Sequence, residues 1–278
     1  MSYCIIDNFL SRKECDDLLK DARLIPKDNF VKTHNFKREV LSSGSIEFKK
    51  LLDLSKNWNS LDNKLNSDEF LIKICEKLNI KNSFLLTKFF SNYNNKDKPH
   101  LSYKKLGINQ IRNIRTFSLI KYILYRIYRG LLRKIKFGTI NIFKRQPIEL
   151  LYDYSRAYNG YVNEIHRDTD YRTIIILIYL NDLGERSAGG ELNIFKNISG
   201  TLKKYPKEDD IELVEKIKPE PGKMIAMINE HGYFHSTNKL DKLEGTRDFI
   251  YGGYTLLAGK NPFLKKSEKI KSAYHLYD

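Results

Sequence analysis

The sequence predicts an α+β fold: N-terminal helices lead into a jelly roll or related β-sandwich, with a basic helical segment inserted between them. Three observations carry this. Helical spacing of apolar residues is confined to the first eighty residues and to Thr116–Phe137. After Gln146-Pro147 the pattern changes to short runs of Tyr, Ile, Leu and Val separated by Gly, Asn and Asp. The composition, 41% hydrophobic and 12% aromatic with 18 Tyr and 15 Phe, suits a sheet-rich core.

Taken in order, Tyr3 to Ile6 reads as a strand, Asp7-Asn8 as a turn, and Ser11 as the N-cap of a helix with Glu14 at the capping-box position. Leu10, Cys15, Leu18 and Leu19 give that helix its apolar face. Residues 23–66 are polar and rich in Asn and Lys, which suggests loops and short helices. Ser67-Asp68-Glu69 opens another helix, with Phe70, Leu71, Ile74, Cys75 and Leu78 at helical spacing, and residues 84–92 read as a strand. Further strands are expected at 149–156, 159–166, 172–180, 190–196, 211–217, 222–229, 233–240 and 246–257, with turns at Ser187-Ala188-Gly189-Gly190 and Pro219-Glu220-Pro221-Gly222. The unbroken apolar run Ile174 to Leu180 marks a strand buried on both faces. Residues 259–278 form a Lys-rich tail.

Charge is distributed unevenly. Of the net charge of +15, residues 98–148 supply thirteen Lys or Arg and no Asp or Glu, which leaves about +2 for the rest. Within this segment Leu119, Ile120, Ile123, Leu124, Ile127, Leu131, Leu132 and Ile135 recur at helical spacing among Lys and Arg. Such a helix can dock on the core, lie on an anionic membrane surface or recruit a polyanion through residues 104–146, and these readings stay open. Lys121, Arg126 and Arg129 interrupt its apolar run, so it does not read as a membrane span. Cys4, Cys15 and Cys75 lack CxxC spacing and are odd in number, which argues against disulfides and thiolate metal sites. No signal peptide is evident at the N-terminus, so a cytoplasmic protein with reduced thiols is expected, membrane-associated if the basic helix docks there.

The chemistry concentrates in residues 158–182. His166 and Asp168 lie two apart, so an extended backbone sends both side chains to one face. A second imidazole would complete a 2-His-1-carboxylate set, which holds Fe(II) on three corners and leaves three open. His235 falls at the start of a strand and His231 in the preceding connection; a strand holds a ligand more rigidly, so His235 is the expected third ligand and His231 its alternative. Asp170 is the alternative carboxylate. Arg247 opens the last strand and offers a bidentate fork to an anionic cosubstrate, or else an ion pair to Asp248 or Glu244.

His166-x-Asp168, His235 and Arg247 together resemble the Fe(II)- and 2-oxoglutarate-dependent dioxygenases, and among them the prolyl 4-hydroxylase-like group. Tyr158 and Tyr161, Arg172, Tyr179-Leu180-Asn181, Gly189-Gly190-Glu191-Leu192 and Pro221-Gly222-Lys223-Met224 add to the likeness, as does the opening Ile5–Ser11 with Cys15. The resemblance covers residues 149–258 well and the first twenty loosely. It implies a double-stranded β-helix, a jelly roll, in which His166, Asp168 and His235 bind iron, with Arg247 meeting the far carboxylate of 2-oxoglutarate and Tyr179 touching the same molecule. Tyr158 and Tyr161 are further cosubstrate candidates, or ordinary strand aromatics. The interval from His235 to Arg247 exceeds the family's usual one, which implies an extended hairpin, and Lys239 or Lys242 are alternative cations. The organisation implied is a flanking part at 1–92, the basic insertion at 93–148, the oxygenase core at 149–258 and a tail.

The activity so implied is hydroxylation of a C–H bond on a peptidyl (prolyl-like), amino-acid, glycan or lipid acceptor, using O2 and releasing succinate and CO2. Ascorbate is an accessory that the resemblance leaves open. A nucleic-acid demethylase is the neighbouring alternative because of the basic segment, although residues 248–258 lack the second Arg such enzymes usually carry. A metal-free jelly-roll binding module is the alternative from a different class.

Overall fold

A computed structural model describes residues 2–34, 37–80, 90–92, 146–256 and 261–264. The basic helix expected over 116–137 lies outside these residues, as does most of the tail. Twelve strands and four helices are described: β1 (Tyr3–Ile6), α1 (Arg12–Ala22), β2 (Val31–Thr33), β3 (Arg38–Ser42), α2 (Ile46–Leu54), α3 (Lys56–Leu65), α4 (Asp68–Lys77), β4 (Phe90–Asn92), β5 (Gln146–Ala157), β6 (Asn163–His166), β7 (Arg172–Tyr179), β8 (Leu192–Asn197), β9 (Ile211–Ile217), β10 (Met224–Ile228), β11 (Tyr233–Thr237) and β12 (Arg247–Leu256).

The strands form two sheets. The larger runs β1-β10-β7-β12-β5-β3-β2, with β4 alongside β5 in the single parallel pairing described, and the smaller runs β6-β11-β8-β9, antiparallel throughout. The first strand of the chain therefore closes one edge of the larger sheet, and the β2–β3 hairpin extends the opposite edge.

Alternation along β7 explains why its apolar run is unbroken. Ile174, Ile176 and Ile178 join one core with Leu18, Phe48, Trp58 and Ile74 of the four helices. Ile175, Leu177 and Tyr179 point the other way and pack with Leu192, Ile194 and Ile217 of the smaller sheet. The larger sheet is thus covered by helices on one face and by the smaller sheet on the other, and each fully buried Ile or Leu adds roughly 1.5–3 kcal/mol. Trp58 anchors the helical layer: its indole nitrogen donates to the Leu18 carbonyl at 2.9 Å, and its ring packs 5.1 Å from that of Tyr154.

Local signals act as the sequence suggests. Ser11 caps α1 in a complete capping box with Glu14, and Ser67 caps α4. Residues 23–66, expected as loops and short helices, contain α2, α3 and the β2–β3 hairpin. The strand expected at 159–166 begins only at Asn163, because Tyr158–Tyr161 form a turn around Gly160 at φ 83°. Of the strand expected at 84–92, residues 90–92 are described as β4. Gly222, at φ 77°, places its Cα so close to the Leu10 carbonyl that a Cβ would lie 1.9 Å from that oxygen. Among the described residues, no helix is long and apolar enough to cross a membrane.

Candidate active site

The smaller sheet brings two imidazoles together. β6 and β11 pair antiparallel with His166 directly opposite His235, and the two rings stand 4.4 Å apart between centroids. His166 is the last residue of β6, so Asp168 leaves not from the strand but from the connection to β7. That connection is fixed on both sides: the Arg167 amide donates to the Lys204 carbonyl at 2.9 Å, and Asn229 Nδ2 donates to the Thr169 carbonyl at 2.8 Å. Asp168 Oδ1 then lies 3.4 Å from His166 Nε2 and 3.7 Å from His235 Nε2. The three donor atoms fall within 4.8 Å of one another, the one such cluster among the described residues. Two sequence alternatives are not part of it. His231 sits between β10 and β11, and Asp170 is held by Arg167 Nη1 at 2.9 Å.

Neighbouring groups prepare each donor. His166 Nδ1 is 2.7 Å from the Glu164 carbonyl oxygen, which selects the tautomer with its proton on Nδ1 and leaves Nε2 as a lone pair. Asp168 receives Arg172 Nη1 on Oδ2 at 2.9 Å and the Tyr251 hydroxyl at 2.8 Å from both oxygens. Burial pushes the Asp168 carboxyl up, but Arg172 and the two histidines overcome this and hold it well below the usual carboxylate range. The His235 ring is pushed down to about 3, chiefly by burial, so it is neutral at working pH. Although only 4% exposed, His235 has no hydrogen-bond partner on either ring nitrogen among the described residues. A buried, neutral, unpartnered imidazole beside an ionised carboxylate is what a divalent cation satisfies.

A second polar group lies on the same face of β12 as Tyr251. Arg247 is 1% exposed, and its Nε and Nη1 lack hydrogen-bond partners among the described residues. The guanidinium is sandwiched between Tyr179 and Phe249, 4.9 and 5.0 Å from their ring centroids. The ion pairs that the sequence allowed it are taken up elsewhere. Asp248 accepts from Tyr154 at 2.5 Å and lies 3.6 Å from Arg156, while Glu244 faces Arg186 at 3.8 Å. The Tyr179 hydroxyl is likewise buried without a partner among the described residues. Burial pushes the Tyr179 phenol above its usual range and Arg247 opposes the rise. A buried cation and phenol with open valences match a carboxylate.

The remaining predicted residues separate. Tyr161 is buried with Tyr179 and Phe249, its ring 6.5 Å from that of Phe249. Tyr158 is not brought to the cluster: its hydroxyl donates to Glu39 at 2.5 Å, on the helix-facing side of the sheet that Glu39 shares with Arg156. Lys239 and Lys242 are surface residues, Lys239 held by Asp241 at 3.1 Å. Sequence reasoning missed Tyr251 and Arg38. Tyr251 was reachable, because Arg247, Phe249 and Tyr251 share one face of a strand at a period of two; Arg38 depends on a pairing of β3 with β5 across more than a hundred residues.

Two imidazoles and one carboxylate thus form a cluster that could hold a metal ion, and Arg247 with the Tyr179 hydroxyl forms a second buried polar group. No protein-family model and no curated protein matches the chain. It is similar to the solved structure of a Pseudomonas putida prolyl-4-hydroxylase, at a TM-score of 0.45 and 11% identity, covering 91% of this chain and 92% of that one. It is also similar to the viral collagen prolyl hydroxylase from Paramecium Bursaria Chlorella virus-1, at 0.43 and 14%, covering 92% and 96%. The non-heme alpha ketoglutarate dependent epimerase SnoN from nogalamycin biosynthesis is similar at 0.49 and 10%, covering 92% and 78%.

Proposed function

We propose that the chain is an Fe(II)- and 2-oxoglutarate-dependent dioxygenase that hydroxylates a C–H bond of a prolyl-like, amino-acid or related acceptor. The observation that carries the proposal is that the unpartnered Arg247 shares one face of β12 with Tyr251, whose hydroxyl reaches Asp168 of the His166, Asp168 and His235 cluster. In this reading the sheets are the two halves of a double-stranded β-helix, residues 149–258 are its core and residues 1–92 flank it. With iron and 2-oxoglutarate bound, the site supplies oxidative decarboxylation, giving succinate and CO2 from the keto acid and placing one oxygen atom of O2 on the acceptor carbon.

The residues divide this work. His166, Asp168 and His235 hold the metal on one side and keep the opposite side open for ligands. Arg172 and Tyr251 keep Asp168 ionised and prevent it from rotating, so that one oxygen always faces the imidazoles. Arg247 and Tyr179 orient the far carboxylate of the keto acid and exclude water from it, because both are shielded from solvent. Tyr161 closes the apolar wall beside them.

The test is succinate release from 2-oxoglutarate with Fe(II) under air, together with iron content after purification. Activity lost in His166→Ala and Asp168→Ala supports the proposal. Protein that binds no Fe(II) and converts no 2-oxoglutarate refutes it.

A further inference from the structure

Arg38 is a buried cation that neither the metal nor the keto-acid role uses. It lies on β3 opposite Ala157 of β5, which on its other side faces Arg247, so all three strands present this level to the same interior. Its guanidinium packs 5.3 Å from the ring centroid of Phe249 and 5.4 Å from that of Tyr251. The Tyr251 hydroxyl in turn touches Asp168. One aromatic ring therefore separates Arg38 from a proposed metal ligand.

Its charge is poorly compensated for a residue only 6% exposed. Nε and Nη2 both donate to the neutral hydroxyl of Ser155, at 3.2 and 2.7 Å. The one carboxylate within ion-pair reach among the described residues, Asp153, is 3.8 Å away, beyond hydrogen-bond distance, and it also acts on the charge of Arg172. A buried guanidinium is tolerated when its fork is filled, and here the fork meets a hydroxyl and a shared, distant carboxylate. Exposure rises from Arg247 to this end: Arg247 is 1% exposed, whereas the side chains of Arg172 and Asp153 are 20% and 33% exposed. The Arg38 guanidinium thus reaches from the level of Arg247 past Phe249 to Tyr251 and Asp153, towards the more exposed side chains of this face.

We propose that Arg38 binds a carboxylate carried by the acceptor, so that the substrate is itself an acid: a free amino or imino acid, or an acidic residue within a peptide. The proposal rests on the oxygenase reading and narrows its substrate class. Planar bidentate pairing with Arg38 fixes one end of the acceptor, and the Tyr251 ring sets its distance from the metal.

The test uses full-length protein loaded anaerobically with Mn(II) and saturating 2-oxoglutarate, whose own stabilisation in a thermal melt reports the proposed metal site first. The probes are the free L-amino acids including L-proline, the corresponding amino-acid amides, and peptides paired as Glu and Gln versions. The expected result is further stabilisation by a carboxylate probe, with its amide or Gln partner binding at least about tenfold more weakly. The free acids and the peptides then identify the source of the carboxylate. Arg38→Gln should weaken that response by about tenfold or more, and Arg38→Lys should restore part of it. If Arg38→Gln does not fold, the acid–amide comparison on the unaltered protein decides alone. Loaded protein that responds to no carboxylate, binds acid and amide equally, or responds unchanged in Arg38→Gln overturns the proposal. Absence of any stabilisation by Mn(II) and 2-oxoglutarate overturns the oxygenase reading instead.

Discussion

Replacing Arg247 by methionine should change two properties in opposite directions. The side chain is 1% exposed, carries a full charge, and leaves Nε and Nη1 without partners among the described residues. An uncompensated buried cation costs free energy in the unliganded protein, and an apolar residue of similar length that still packs between Tyr179 and Phe249 removes that cost. The variant without ligand should therefore be as stable as the parent or more so, by about 1 kcal/mol, which for a chain of this size raises the melting temperature by roughly 2–4 °C. Binding of 2-oxoglutarate should move the other way. Removing one partner of a desolvated, charge-assisted pair costs about 2–5 kcal/mol, or roughly 30-fold to several-thousandfold in dissociation constant. Thermal melts with Mn(II), titrated with 2-oxoglutarate under argon, read both numbers from one series. A variant that melts well below the parent yet binds 2-oxoglutarate within about threefold of it would refute the assignment and make Arg247 a packing residue.

Three further perturbations separate the parts of the account. Tyr251→Phe removes the hydroxyl that reaches both oxygens of Asp168 but keeps the ring, so Fe(II) affinity should fall by about tenfold with little change in melting temperature, as metal titration would show. Cys15 and Cys75 are fully buried, and burial with neighbouring carboxylates pushes their thiols up to about 11 and about 12; reactivity follows the thiolate and so rises with pH, and at pH 8 both should resist iodoacetamide until the protein is unfolded, with half-buried Cys4 labelling first by mass spectrometry. Gly222→Ala forces a Cβ onto the Leu10 carbonyl at a positive φ, and should lower stability by about 2 kcal/mol or more in denaturant unfolding without altering the metal donors.

What the sequence made legible follows from the range of each signal. The Ser11 and Ser67 caps, the eight strands after Gln146 and the doubly buried run of β7 depend on neighbours a few residues away, and the structure contains each of them, most strands with shifted ends. Short helices were expected within 23–66, and α2 and α3 fall there, but their bounds and the β2–β3 hairpin were not legible, because their order comes from packing on and pairing with the larger sheet. The His166, Asp168 and His235 cluster could be read as an HxD pair and a strand histidine, although Asp168 arrives from a connection rather than from the strand that the spacing suggested. Tyr158 shows the limit of motif reasoning: one turn at Gly160 sends it to Glu39 and keeps Tyr161 beside Phe249. Arg38 could not be read, since only the pairing of β3 with β5 makes it a neighbour of Phe249 and Tyr251.

The central claim is that His166, Asp168 and His235 together hold one metal ion. Anaerobic Fe(II) titration of the parent and of single variants tests it most directly. One bound iron per chain is expected, lost in His166→Ala, Asp168→Ala and His235→Ala, and kept in His231→Ala and Asp170→Asn. Iron retained in His235→Ala but lost in His231→Ala would contradict it.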